Sequence, residues 1–165
     1  MKLSFALVAV VSVIAAAPAI AATTTSTLNV AATVVDSCTA GGATLNFGQF
    51  DPRTGSALTG NQNFTVQCTV GTDYTIALNA GTGDGASLAI RKMTGTNTSE
   101  LLNYALFVDS GRTVIWGDGT DTTEMVSSDG TGSNQVFTVY GTILGGQTAT
   151  PVDTYSDAVT ITVTY

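Results

Sequence analysis

From Asp157 to Tyr165 the chain alternates without a break. Val159, Ile161, Val163 and Tyr165 fall on one side, and Ala158, Thr160, Thr162 and Thr164 on the other. A two-residue period places alternate side chains on opposite faces of an extended backbone, so this stretch predicts a β-strand with one apolar face. The same period recurs in short runs separated by Gly, Asn and Asp. Residues 63–70 put Phe64, Val66, Cys68 and Val70 on one face. Residues 73–81 do so with Tyr74, Ile76 and Leu78, and residues 102–109 with Leu102, Tyr104, Leu106 and Val108. Residues 43–50 alternate as well, 134–144 form a longer run with Val136 to Tyr140 its best part, 112–119 a short one and 86–93 a weaker one. No window carries a 3.6-residue period. Thirty threonines and only 10% charged residues suit strands and turns rather than helices. Many short strands with turn signals between them predict an all-β sandwich or barrel, and a Greek-key, immunoglobulin-like sandwich is the expected form.

The two ends of the chain carry further information. Lys2 is the only charge in the first 35 residues. The apolar run from Leu3 to Ala17 is too short and too early for a membrane span. With Ala19 and Ala21 at the −3 and −1 positions of a small-residue cleavage site, it predicts an export signal over residues 1–21. No later stretch reaches transmembrane length, so direct membrane insertion is not expected. After a polar Thr/Ser leader, residues 28–35 alternate again, with Leu28, Val30, Ala32 and Val34 on one face. An apolar strand beside a loose leader is an aggregation hazard unless something covers it. It belongs either in this domain's own sheet, as an ordinary first strand, or in another molecule. Cys38 and Cys68 are the only cysteines. In an exported chain they are expected to pair, the alternative being two free thiols, and the bridge would stabilise the fold by roughly 3–4 kcal/mol.

Composition narrows the chemistry. The net charge of −7 and the lack of a basic patch argue against nucleic acid and anionic membranes. Without histidine the usual general base and the commonest metal ligand are absent, and so is any Ser-His-Asp or Cys-His site. No enzyme, cofactor or metal is expected. Asp118, Asp121 and Glu124 could offer oxygens to calcium, but their spacing is not that of an EF-hand, and a solvated acidic turn is the simpler reading. Trp116 and Tyr104 could stack on a sugar, in a carbohydrate-binding or hydrolytic sandwich. A lone Trp at the end of such a strand more commonly packs in the core.

Seven segments occur in order: "LNVAATVVDSCT" (28–39), "LNFGQFDP" (45–52), "FTVQCTVGTDYTIALNAG" (64–81), "RKMTG" (91–95), "LNYALFVDSGRTVIWGDGT" (102–120), "FTVYGTILGGQ" (137–147) and "YSDAVTITVTY" (155–165). With them the chain resembles the spore coat protein U domain family, which includes the major subunits of archaic (Csu-type) chaperone–usher pili. The resemblance implies an incomplete immunoglobulin-like sandwich of the pilin type, lacking its seventh strand. It implies residues 22–36 as a donor-strand extension and 37–165 as the pilin domain. Leu28, Val30, Ala32 and Val34 would then be plugs in a neighbour's groove. Val159, Ile161, Val163 and Tyr165 would line this chain's own acceptor groove and pair with a chaperone. The implied partners are copies of the chain in a filament, a periplasmic chaperone and an outer-membrane usher. The implied role is a fibre subunit in adhesion and biofilm formation, passing through the periplasm to the cell surface. A tip adhesin of the family would carry a second, N-terminal binding domain, so a shaft subunit is expected. The alternative is a secreted coat or matrix protein of the same fold that completes its own sheet.

Overall fold

The computed structural model describes residue 18 and residues 20–165. The expected export signal lies almost wholly outside the described residues. The chain divides into two units, one ending at Thr33 and the other running from Val34 to Tyr165. In the first unit the described residues form no regular secondary structure and are exposed.

The second unit is all β apart from one 3-10 turn at Pro52–Thr54. Its strands are β1 (Cys38–Ala40), β2 (Leu58–Cys68), β3 (Asp73–Leu78), β4 (Arg91–Gly95), β5 (Leu101–Phe107), β6 (Val126–Asp129), β7 (Gln135–Ile143), β8 (Tyr155–Ser156) and β9 (Ile161–Thr164). They form a six-stranded sheet in the order β1-β2-β7-β5-β4-β8 and a three-stranded sheet in the order β6-β3-β9. Every strand pairing is antiparallel. Among the described residues no helix is long and apolar enough to cross a membrane.

The apolar faces read from the alternation meet in one core. Phe64, Val66 and Cys68 from β2, Leu102, Tyr104 and Leu106 from β5, and Val139 and Ile143 from β7 face Tyr74, Ile76 and Leu78 from β3. Val70, grouped with the β2 face in the sequence, lies in the turn beyond Cys68 and is exposed. Four other runs depart from the strand pattern, and in one of them, 86–93, the strand begins only at Arg91, because Ser87 and Ile90 bond each other in a local turn. Residues 43–50 alternate but form no strand, because Asn46 Oδ1 accepts from the Gly48 N–H at 2.8 Å and Gly48 adopts φ +79°. That local turn takes the place of a ladder. Its side chains still reach inward, with Leu45, Phe47 and Phe50 packed on the core. Residues 112–119 are reduced to bridges at Ile115 and Trp116, because Asp109 accepts from the backbone N–H of Thr113 and of Val114 and holds the chain in a turn. Residues 28–35, extended in pattern, belong to no strand.

The predicted Cys38–Cys68 disulfide is present, and the two cysteines sit directly opposite one another in the β1–β2 register. Two further bonds fasten the same point. The Thr69 N–H donates to Ser37 O at 2.9 Å, and the Thr72 hydroxyl to the Asp36 carboxylate at 2.9 Å.

Candidate functional site

A cleft of about 800 Å³ opens into the core of the second unit. Residues 43–50 form one wall, with Leu45, Phe47 and Phe50 turned into it. Val159 and Ile161 form the other, leading into β9. The floor comes from Tyr104 and Leu106 of β5 and from Val139 and Ile143 of β7. The cleft therefore lies between residues 43–50 and the approach to β9, over side chains of β5 and β7.

Both rims have unusual backbones. β9 pairs only with β3, through a register running from Thr75↔Thr164 to Leu78↔Ile161, so it is an edge of its sheet. Edge strands present a row of unused N–H and C=O groups, a template for another extended chain. Opposite it, residues 43–50 belong to no strand and stay in place chiefly through their apolar side chains.

Side-chain bonds hold the approach to β9. Asp157 accepts from the Tyr104 hydroxyl at 2.6 Å, the Thr82 N–H at 2.7 Å, the Thr82 hydroxyl at 2.8 Å and the Ala158 N–H at 2.7 Å. Burial raises the Asp157 pKa, but the bonds from Tyr104, Thr82 and Ala158 outweigh it and hold the carboxyl below its ordinary value. Burial first, and then the bond to Asp157, push the Tyr104 phenol well above its ordinary range. Asn79 Oδ1 accepts from the Thr160 N–H at 2.8 Å. Further back, Asp153 accepts from the backbone N–H of Asn97, Thr98 and Thr154 and from the side chains of Asn97 and Thr98. Its carboxyl, too, is held far below the ordinary range: desolvation acts upward, and the bonds from Thr98 and Asn97 prevail.

Arg91 lies beneath this rim, with no exposed surface. Its guanidinium donates to Asn79 O at 2.9 Å, Leu88 O at 2.9 Å, Leu78 O at 3.3 Å and Trp116 O at 2.7 Å. One planar group thus satisfies carbonyls from the end of β3, from the loop before β4 and from the Trp116 bridge. Burial pulls its pKa below the ordinary arginine range.

The residues singled out in the sequence fall in different places. Val159 and Ile161 border the cleft, Val163 packs against the core, and Tyr165 is 59% exposed. Leu28, Val30 and Val34 are 84–86% exposed, and Ala32 is exposed as well. Trp116 is 1% exposed, packs beside Phe64 with ring centroids 5.8 Å apart, and donates its indole N–H to Ile76 O at 3.0 Å. Tyr104 is also buried. Trp116 has no face to offer a sugar, and Tyr104 keeps only 4% of its surface exposed, at the floor of the cleft. Asp118 accepts from the N–H and hydroxyl of Thr120, as a turn residue does, and no group of three or more acidic or cysteine side chains able to hold a metal occurs among the described residues.

Comparison with known proteins bears on the family and the fold. Protein U of Myxococcus xanthus is 36% identical over a 173-residue alignment that takes in 97% of this chain and 95% of Protein U. Among solved structures, a chain of the CsuC–CsuE chaperone–tip adhesion subunit pre-assembly complex, from archaic chaperone–usher Csu pili of Acinetobacter baumannii, superposes with a TM-score of 0.60 at 24% identity. That match covers 81% of the present chain and 41% of the solved one, and it establishes the likeness of fold. The model of the Spore Coat Protein U domain matches residues 24–162, from within the polar leader into β9, and the chain belongs to that family.

Proposed function

We propose that this chain is a structural subunit of a secreted bacterial surface fibre, assembled when one copy lends its N-terminal strand to the next. The reading is that the sandwich is immunoglobulin-like and one strand short, and that residues 22–36 of a neighbouring copy supply the missing strand. The observation that carries it is the open apolar cleft beside the free edge of β9. The exposed alternating segment 28–34 supplies a fitting occupant. At strand rise it spans about 20–23 Å, and each of its larger side chains contributes roughly 1.5–3 kcal/mol when buried. Because the contact is head to tail and does not close on itself, it builds a filament. The likeness to a chain solved with its chaperone before assembly supports a periplasmic chaperone as the first occupant of the cleft, and an outer-membrane usher as the place of exchange. The signal-like residues 1–21 and the disulfide fit export through the periplasm to the cell surface, where such a fibre serves adhesion and biofilm formation.

The family description favours a second reading, a secreted coat protein of the same fold that completes its own sheet and does not polymerise. One experiment separates the two. The mature chain lacking residues 22–35 is prepared with and without a synthetic peptide of residues 22–36, and thermal unfolding is followed. A rise in Tm of about 10 °C or more at saturating peptide supports strand donation. A truncated chain that melts as high as the intact one, and ignores the peptide, supports the coat protein.

A further inference from the structure

Gly60 of β2 and Gly141 of β7 are register partners, and Leu106 of β5 lies next across from Gly141. Two facing glycines on neighbouring inner strands leave a stretch of the sheet without side chains. Leu45 and Phe47 fill it. A Cβ on Gly141 would lie 2.6 Å from Leu45 Cδ2 and 2.7 Å from Phe47 Cζ, and one on Gly60 would lie 3.3 Å from both residues. Phe47 is also held edge-on against Tyr104, with ring centroids 6.3 Å apart and planes at 65°. At this level, then, the floor is lowered by glycine and refilled from the wall. Both residues still face the cleft.

We propose that Leu45 and Phe47 set the register of the strand received by the cleft, by filling it at the Gly60–Gly141 level so that only Ala32 of the incoming copy fits there. The inference rests on the strand-donation reading above. An incoming strand can slip only in steps of two residues, since a slip of one turns its apolar face to solvent. Of the four residues on that face, Leu28, Val30, Ala32 and Val34, only Ala32 is smaller than valine. A two-residue slip in either direction brings Val30 or Val34 against Leu45 and Phe47 and leaves Ala32 over a deeper part of the cleft. The first overpacks and the second leaves a void, and both weaken binding. A single small residue thus distinguishes one register from its neighbours.

The test uses fluorescently labelled peptides of residues 22–36, wild type and Ala32→Leu, titrated against the full chain and its Phe47→Ala and Leu45→Ala variants. Each variant is first checked for a cooperative melt, and having two of them guards against one failing to fold. On the wild-type chain the Ala32→Leu peptide is expected to bind about tenfold or more weakly than the wild-type peptide. On at least one truncated-wall variant it recovers to within about threefold of the wild-type pair. If Ala32→Leu binds the wild-type chain as well as the wild-type peptide does, or its loss is recovered on neither variant, the register proposal is overturned while strand donation stands. If the wild-type peptide does not bind at all, the strand-donation reading falls and the register proposal falls with it.

Discussion

Arg91 is a cation with no surface and no carboxylate in contact. Its four bonds all run to backbone carbonyls, drawn from segments 13 and 25 residues apart along the chain as well as from its own approach. Charged donors make stronger hydrogen bonds than neutral ones, and an abandoned buried carbonyl costs its full desolvation. Replacing Arg91 by Met keeps much of the volume and leaves these carbonyls unpaired. The expected loss is about 2–4 kcal/mol, read as a lower midpoint in urea denaturation at unchanged slope. Arg91→Lys should lie close to Met, since one ammonium cannot reproduce a planar fork that reaches three directions. Sequence alone gave little hint of this role. A single Arg after "SLAI" reads as a surface charge until the folded chain brings Leu78 and Trp116 over it. Trp116 itself, expected to pack rather than to bind, does so.

At the scale of elements, legibility followed burial. β2, β3, β5 and β7 each bury one face, so their alternation was visible in the sequence, and β9 shows the same period on an edge. β6 and β8 were not visible. Val126–Asp129 is mostly Ser and Asp, and Tyr155–Ser156 is two residues long, so both are strands only because β3 and β4 recruit them. The converse failure is residues 43–50, where the pattern was right for the faces and wrong for the ladder, because Asn46 and Gly48 make a turn of their own. The cleft's second wall went unseen for that reason. The rim carboxylates were equally hidden, since, apart from the next residue's N–H in each case, the partners of Asp153 and Asp157 lie more than fifty residues away. They make the rim sensitive to acid. Both groups titrate below the ordinary 3.8 in the folded chain, so folding favours their ionised forms. The stabilisation is complete above about pH 5 and is lost as pH falls through the depressed values. Hydrogen exchange followed by mass spectrometry should therefore show peptides covering 96–98 and 150–160 losing protection below about pH 4, ahead of β2 and β7. Asp157→Asn should show the loosened rim already at neutral pH.

For the whole molecule the decisive quantity is whether damage to the extension reaches the body. Val30 is 85% exposed and lies in a unit separate from the sandwich. Under the strand-donation proposal, Val30→Asp should leave the Tm of the isolated chain within about 2 °C of wild type while abolishing chain-to-chain assembly, because a carboxylate would have to be buried in an apolar cleft. Native mass spectrometry of assembled material checks it, and an equal fall in folding and assembly would show Val30 to be part of the body. The disulfide has a consequence at this scale that is mechanical rather than thermodynamic. β1 is only three residues long, and a tug on the segment before it would peel so short a strand away one rung at a time. Cys38 is its first residue, and through Cys68 any such tug passes straight to the end of β2. There it meets a ladder with β7 that runs unbroken from Leu58 to Val66, nine register pairs against the three that hold β1. The bridge acts as strain relief, as a clamp does where a cable enters its socket: the slender lead can be pulled hard without tearing out the place where it is attached.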